Sequence, residues 1–271
     1  MNKSTRIRIL ILTACLLLIM QCAGNSQEDF SRTRKSENQI NKMDINLLVD
    51  GTEIRNSGLQ LMNAPLGIIE LGQEGQVNDS ALVIAVHGYQ SRGYEWVSGL
   101  KHLADYYGSV FFFRYDWEEC PELIAQELAT KIQSLNKSRS FKEIIVFGHS
   151  YGGIVVTFLA GELGNLNTEI NVIAAPLSGY PLLLDACSTL SYDENDKLIY
   201  PKWKPAVQVI QHKTVHVQDG AFRELASDPQ EVDLPFARIQ ELPPTMDGHR
   251  LGHNWSVSWV LDQHVGKPHR Y

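Results

Sequence analysis

One short stretch of the sequence combines a nucleophile with the glycines that could expose it. Residues 148–152 read Gly-His-Ser-Tyr-Gly, and a further glycine follows at once. The apolar, β-branched run 144–147 before the stretch predicts a buried strand, and apolar residues recurring every three or four positions after it predict a helix. Strand, G-x-S-x-G and helix in this order are typical of a nucleophile elbow, a sharp turn that lifts the serine hydroxyl to the carboxyl end of a sheet. We therefore predict that Ser150 is a nucleophile, with Gly148 and Gly152 required because a side chain at either position would collide across the turn.

A serine nucleophile needs a base, and histidine is the usual one. In proteins with this elbow the chain order is serine, acid, histidine, so the base must follow Ser150. His253 lies after the last predicted strand and before the last predicted helix, where a loop can return an imidazole to the serine. We predict His253 as the base, and His249, four residues earlier, is the alternative.

The acid that orients the base must also follow the serine. Asp219 precedes a glycine just after a predicted strand that ends at Val217, so its carboxylate is expected at the carboxyl end of that strand. We predict Asp219 as the acid. Asp185 is the alternative if the acid comes from the preceding loop.

Two backbone N–H groups are predicted to stabilise an oxyanion. One belongs to Tyr151, directly after the serine at the start of a helix, and the other to Tyr89, in the turn that ends another predicted strand. His87 and His149 lie beside these two turns. We expect both imidazoles to shape the turns by hydrogen bonding and not to act as general bases.

Strand and helix patterns alternate along much of the chain. The continuous apolar run 81–86 is typical of a strand covered on both faces, and residues 94–107 have helical spacing, as does the segment that begins at Pro121. Further strands are predicted at 45–49, 66–71, 110–113, 170–174, 206–217 and 236–242, with a closing helix at 255–261. The alternation predicts an α/β fold whose mostly parallel sheet is flanked by helices.

Residues 177–205 interrupt this regularity. Prolines are frequent in the segment and its apolar residues have no clear period, so we predict a lid or binding segment. Residues 182–184 are three consecutive leucines, and with Tyr180 and Trp203 they could line an apolar pocket. That composition favours lipids or other apolar acyl esters as ligands.

The first 22 residues have the pattern of a signal peptide. Lys3, Arg6 and Arg8 form a basic start, and residues 9–20 are almost entirely apolar. This run is too short to span a bilayer and has the length of a signal-peptide core. We therefore predict that the chain is exported.

A cysteine closes this run, as in a bacterial lipoprotein signal, in which the cysteine is lipidated and becomes the mature N-terminus. We predict lipidation at Cys22; Cys15 is the alternative, and a plain secretory signal without lipidation is a third reading. Residues 23–42 are polar and are predicted to be a flexible tether. The catalytic domain is then expected at 43–271, at the bacterial cell envelope.

The charge and the cysteine content narrow the kinds of ligand and partner that we expect for this chain. Residues 1–42 carry seven Lys and Arg against three Asp and Glu, so residues 43–271 carry 17 against 28, a net charge of −11. Such an acidic domain is not expected to bind nucleic acid. The sequence has no metal-binding spacing, and we expect neither a metal nor a cofactor. Cys120 and Cys187 either form a disulfide in an oxidising compartment or remain buried thiols.

Several motifs together resemble the α/β-hydrolase superfamily over about residues 80–262. They are His87-Gly88, Tyr115-Asp116-Trp117, the stretch 148–153 and Asp219-Gly220. Within the superfamily they look similar to the lipase and esterase branches related to lecithin–cholesterol acyltransferase and GPI inositol deacylase. The resemblance implies an eight-stranded sheet and hydrolysis of a carboxylic ester through an acyl-serine.

The expected partner is a small-molecule or lipid ester, with membrane contact through an N-terminal lipid anchor. A thioesterase, amidase or acyltransferase could use the same residues. A different reading is a catalytically inactive hydrolase fold that serves as a binding module at the cell envelope.

Overall fold

A computed structural model of the chain describes residues 40–73, 80–180 and 187–266. Every described helix and strand lies within residues 41–271. The predicted signal peptide, with Cys15 and Cys22, lies outside the described residues. Within the described ranges no helix has the length and apolar character needed to cross a membrane.

Eight strands form one sheet in the order β1-β2-β4-β3-β5-β6-β7-β8. Strands β3 to β8 run parallel, whereas β1 and β2 are parallel to each other and join the rest through the antiparallel pair β2–β4. The strands are β1 (Asn41–Asp44), β2 (Gly67–Gly72), β3 (Ala81–Val86), β4 (Ser109–Arg114), β5 (Glu143–His149), β6 (Thr168–Ile173), β7 (Val207–Lys213) and β8 (Arg238–Glu241). A separate hairpin pairs β9 (Thr245–Met246) with β10 (His249–Arg250).

Within the described ranges five α-helices accompany the sheet: α1 (Ile54–Met62), α2 (Tyr94–Tyr107), α3 (Pro121–Arg139), α4 (Tyr151–Glu162) and α5 (Trp255–His264). Helix α2 packs against α5, and α3 packs against α4. Buried residues of α2 and α5, such as Trp96 and Leu261, join Val83, Ala85 and Phe112 of the sheet in one apolar cluster. Alternate residues of β3 point to the opposite face, on the side of α3 and α4. The predicted class, a mostly parallel sheet flanked by helices, is confirmed.

Most predicted elements between residues 66 and 174 are confirmed, and the strand 81–86 and the helix 94–107 have the predicted ends. The strand predicted at 45–49 is wrong. The strand ends at Asp44, whose carboxylate accepts the N–H of Asn46 at 2.9 Å and starts a 3-10 turn. The strand predicted to reach Val217 ends at Lys213, and β8 is followed by the unpredicted β9–β10 hairpin.

Helix α1 was not predicted, because its polar residues and glycine weaken the apolar pattern. The structure gives a packing reason for that glycine. A Cβ at Gly58 would lie 2.4 Å from the backbone nitrogen of Tyr94, so α1 and the start of α2 touch backbone to backbone. The helix is therefore specified by a tertiary contact more than by its own periodicity.

The described parts of the segment 177–205 contain no helix or long strand, only an isolated bridge between Tyr192 and Leu198. A disulfide joins Cys187 to Cys120, with 5.6 Å between the two Cα atoms. Since Cys120 directly precedes α3, the disulfide fixes this segment to the start of that helix. The three leucines at 182–184 and Asp185 lie outside the described residues, and the role of the segment as a lid stays a prediction.

Candidate active site

Ser150 lies on a strained turn between β5 and α4. Its backbone has φ 54° and ψ −121°, a conformation that residues other than glycine rarely adopt. A Cβ at Gly148 would lie 2.4 Å from the carbonyl oxygen of Gly152, and a Cβ at Gly152 would lie 2.3 Å from that of His87. The predicted collision across the turn is confirmed for Gly148, whereas a side chain at Gly152 would collide with the backbone at the end of the neighbouring strand β3.

His253 contacts Asp219. The Nδ1–H of His253, in the loop before α5, donates to the Oδ2 of Asp219 at 3.1 Å, and Oδ1 lies at the same distance. Asp219 is fully buried, and it also accepts the hydroxyl of Thr214 at 2.5 Å and the backbone N–H of Ala221 at 2.8 Å. The structure thus brings together the predicted acid and the predicted base. The sequence placed Asp219 directly after a strand, whereas in the structure a 3-10 turn lies between β7 and Asp219.

The hydrogen bonds keep Asp219 ionised in spite of its burial. Burial acts to raise the pKa of Asp219, but the hydrogen bonds from His253, Thr214 and Ala221, together with the charge of His253, hold its pKa below the usual value. A buried carboxylate with these donors can orient an imidazole and stabilise its positive charge.

The alternative base His249 and the other described histidines that follow Ser150 lie elsewhere. His249, the alternative base, is exposed in β10 and pairs with the backbone of the hairpin. His212, at the end of β7, is buried and bonds the side-chain oxygen of Asn171 at 2.8 Å. His216 bonds a backbone carbonyl, and His264 lies on α5 against the ring of a tyrosine.

Ser150 and His253 line the same pocket, which has a volume of about 180 Å³. No hydrogen bond joins these two side chains, although both lie within the described ranges. Catalytic hydrogen bonds are often long without substrate and tighten only in the complex, so the shared pocket is the relevant observation.

The imidazoles of His87 and His149 hold backbone groups, as expected. His87 donates from Nδ1 to the carbonyl of Gly88 at 2.9 Å and stacks on Tyr115, and burial lowers the pKa of His87 to about 3. His149 donates from Nε2 to the carbonyl of His253 at 3.1 Å. Burial also holds the pKa of His149 well below the usual value, so that both imidazoles are neutral near pH 7.

The predicted oxyanion donors flank the serine. Tyr151 is the first residue of α4, where backbone N–H groups have no acceptor within the helix. Tyr89 lines the Ser150 pocket, and the preceding Gly88 is so close that a Cβ there would lie 3.0 Å from the Cβ of Ser150. The two turns therefore meet at the serine.

Other polar residues at the site were missed from the sequence. Thr214 holds Asp219, and Ser91, Glu95 and Asn254 line the pocket. Only Glu95 carried a signal, since an acidic residue stands directly beside Trp96 in an otherwise apolar helix face. Trp203, predicted to line an apolar pocket, lines a cavity of about 790 Å³ that shares no lining residue with the Ser150 pocket.

In the ranges that the structure describes, no three His, Cys, Asp or Glu side chains are grouped so that they could hold a metal ion.

Neither the protein-family models nor the curated proteins contain a match to this sequence. Solved structures with a similar fold include Est1E from Butyrivibrio proteoclasticus, with a TM-score of 0.48 and 13% identity over 71% of this chain and 88% of that chain. A monoacylglycerol lipase from Paleococcus ferrophilus has a TM-score of 0.46 and 14% identity over 75% and 99%. The lipase BlEst2 from Bacillus licheniformis has a TM-score of 0.45 and 12% identity over 74% and 94%. At such identities the likeness concerns the fold alone.

The chain has an α/β-hydrolase fold. Its eight-stranded, mostly parallel sheet carries the strand–G-x-S-x-G–helix turn directly after β5.

The buried His212 predicts a specific pH dependence of stability. Burial is the main cause that lowers the pKa of His212 from 6.5 to about 3, with the charges of Arg238 and His264 acting in the same direction. Between these two values the unfolded chain binds a proton that the folded protein does not, so the free energy of unfolding falls as the pH falls. The glutamine in His212→Gln can still donate to Asn171. We expect this variant to reduce the slope of the free energy of unfolding against pH by about 1.4 kcal/mol per pH unit between pH 6 and pH 4.

Urea unfolding of the purified protein at several pH values measures this slope. The matched control is His249→Gln, whose side chain is exposed in the folded protein and which should leave the slope unchanged. Equal slopes in the wild type and His212→Gln would contradict the prediction.

Proposed function

We propose that this protein is a serine hydrolase of the lipase and esterase type, which cleaves carboxylic esters through an acyl-serine intermediate. The observation that carries the proposal is the hydrogen bond between His253 and the buried Asp219, at a pocket that also contains the strained Ser150. An ionised, buried acid, an imidazole and a serine hydroxyl at a pocket are the groups that nucleophilic catalysis by serine requires.

The reaction proceeds in two halves. The Oγ of Ser150 attacks the ester carbonyl while Nε2 of His253 takes the hydroxyl proton, and Asp219 stabilises the resulting imidazolium. The N–H groups of Tyr89 and Tyr151 donate to the oxyanion, and His253 returns the proton to the leaving alcohol. Water, deprotonated by His253, then attacks the acyl-serine, and collapse of this second intermediate releases the acid and restores Ser150.

The neutral state of His149 favours this cycle. Its ring centroid lies 4.6 Å from that of His253, so a positive charge on His149 would oppose the charge that His253 gains during attack. Burial keeps His149 neutral near pH 7. His149 thus supports the backbone of His253 without repelling the imidazolium.

The narrower assignment to the branches related to lecithin–cholesterol acyltransferase and GPI inositol deacylase rests on the sequence motifs alone. These are His87-Gly88, Tyr115-Asp116-Trp117, the stretch 148–153 and Asp219-Gly220. Thioester hydrolysis or acyl transfer would use the same residues, and a catalytically inactive binding module would contain the same fold.

The N-terminal segment is assigned to export and anchoring. Residues 1–22 act as a lipoprotein signal, lipidated Cys22 contacts the membrane, and residues 23–42 tether the catalytic domain at the bacterial cell envelope. The basic start and the short apolar run support this assignment. Mass spectrometry of the N-terminal peptide of the mature protein tests it: a lipid-modified Cys22 is expected, and an unmodified N-terminus or modification at Cys15 would contradict it.

Hydrolysis of p-nitrophenyl butyrate by the purified protein tests the proposed reaction. We expect Ser150→Ala and His253→Ala to lower kcat by at least about 1,000-fold, because the nucleophile and its base act as a unit. His249→Ala is the matched control and should keep the wild-type rate, since His249 is exposed in the hairpin. Circular dichroism shows whether each variant is folded. A folded wild type without activity, or full activity in Ser150→Ala, would overturn the mechanism.

A further inference from the structure

The Ser150 pocket contains a buried carboxyl group that the proposed mechanism does not use. Glu95, in the first turn of α2, is 7% exposed and lines the pocket together with Ser150 and His253. Within the described ranges it forms no ion pair with a lysine or arginine. A buried carboxyl group without a cationic partner is unfavourable for folding, and such groups are frequent at functional sites.

The contacts of Glu95 leave acceptor capacity towards the pocket. Its carboxyl group accepts the Ser91 hydroxyl through Oε1 and its own backbone N–H. Ser91 is fixed in turn, because its Oγ accepts the N–H of Gly93 at 3.1 Å. An ionised carboxyl group offers about four acceptor positions, so two contacts do not saturate it.

The fold affects the charge of this carboxyl group in two ways. It lies at the N-terminus of α2, where the helix dipole favours a negative charge. Burial raises the pKa of Glu95, while the hydrogen bond from Ser91 and the charge of His253 act against that rise. Burial is the largest of these effects, so the pKa of Glu95 stays raised, and the carboxyl group lines the pocket without an ion pair to a described lysine or arginine.

The remainder of the pocket is small and polar. Its volume of about 180 Å³ is below the roughly 300–1,000 Å³ of pockets for drug-sized ligands. Gln90 and Arg92 also line it, and the amide of Asn254 donates to the hydroxyl of Tyr94 at 2.7 Å. These walls fit a short polar group better than a long acyl chain.

We propose that Glu95 is a specificity-determining residue that accepts a hydrogen bond from a hydroxyl group of a short ester substrate. The proposal rests on the proposed function and names its substrate class: short hydroxylated esters, not the lipid or apolar acyl esters that the composition of 177–205 favours. The hydroxyl group belongs either to the acyl part or to the alcohol part of the ester, and the experiment separates these two sources.

Hydrolysis of three matched esters, followed by proton release at constant pH, tests the proposal. The esters are ethyl butyrate, ethyl 3-hydroxybutyrate and 2-hydroxyethyl butyrate. We expect the wild type to have a kcat/KM at least about tenfold higher for one of the two hydroxylated esters than for ethyl butyrate, the effect of one hydrogen bond to a charged group. The ester that is preferred identifies the side of the bond that faces Glu95.

Two variants locate the effect. Glu95→Leu should bring the ratio of kcat/KM for the preferred hydroxylated ester to kcat/KM for ethyl butyrate close to one, while ethyl butyrate is still hydrolysed. Glu95→Gln, which keeps a neutral acceptor, should give an intermediate ratio. Glu127→Gln, exposed on α3, is the matched control and should keep the wild-type ratio.

Three results would overturn the proposal. One is a wild-type ratio near one for both hydroxylated esters, and another is an equal loss on all three esters in the Glu95 variants, which would indicate an effect through His253 or the fold. The third is no hydrolysis of any of the three esters. In that case fluorophosphonate labelling of Ser150 separates the two failures: a labelled serine refutes only the substrate class, and an unlabelled serine refutes the proposed function as well.

Discussion

The turn after β5 and the turn after β3 touch through their backbones, and the whole site depends on this contact. A Cβ at Gly152 would lie 2.3 Å from the carbonyl oxygen of His87, and a Cβ at Gly88 would lie 3.0 Å from the Cβ of Ser150. Because these strands are neighbours in the sheet, their carboxyl ends present the serine and the Tyr89 amide to the same pocket. A larger residue at either glycine would separate the nucleophile from its oxyanion donors.

Buried histidines stabilise this contact from both sides. His87 bonds the carbonyl of the glycine that follows it, and its own carbonyl accepts the hydroxyl of Tyr115. His149 bonds the carbonyl of His253 and so links the serine turn to the loop that carries the base. Both imidazoles are neutral because they are buried, so the positive charge that develops on His253 during attack meets no second charged imidazole.

The sequence predicted local features better than contacts between distant segments. The elbow could be predicted because strand, glycines and helix are contiguous, and the order of acid and base selected Asp219 and His253 from several candidates. Thr214 and the buried Glu95 were missed although their hydrogen-bond partners are only five and four positions away, because only the fold shows which side chains lie at the site. Helix α1 was missed as well, because it depends on its packing against the start of α2.

The cavity that Trp203 lines does not reach the serine. It lies between the segment after β6 and the loop after β7 and shares no lining residue with the Ser150 pocket. Position along the chain does not determine which face of a long loop meets the sheet. The disulfide at Cys187 and the backbone contacts at Ser178 and Leu198 set that course, and none of them has a local sequence pattern.

The central claim is that Asp219 activates Ser150 through His253. The most direct measurement is the rate at which a fluorophosphonate modifies Ser150, located by peptide mass spectrometry, in the wild type and in Asp219→Asn. We expect labelling of Ser150 in the wild type and labelling at least about 100-fold slower in Asp219→Asn, because the amide can no longer hold and charge-stabilise the imidazole. Asp247→Asn, in an exposed turn that asparagine also adopts, should label at the wild-type rate. Equal rates in all three proteins, or labelling at a residue other than Ser150, would contradict the account.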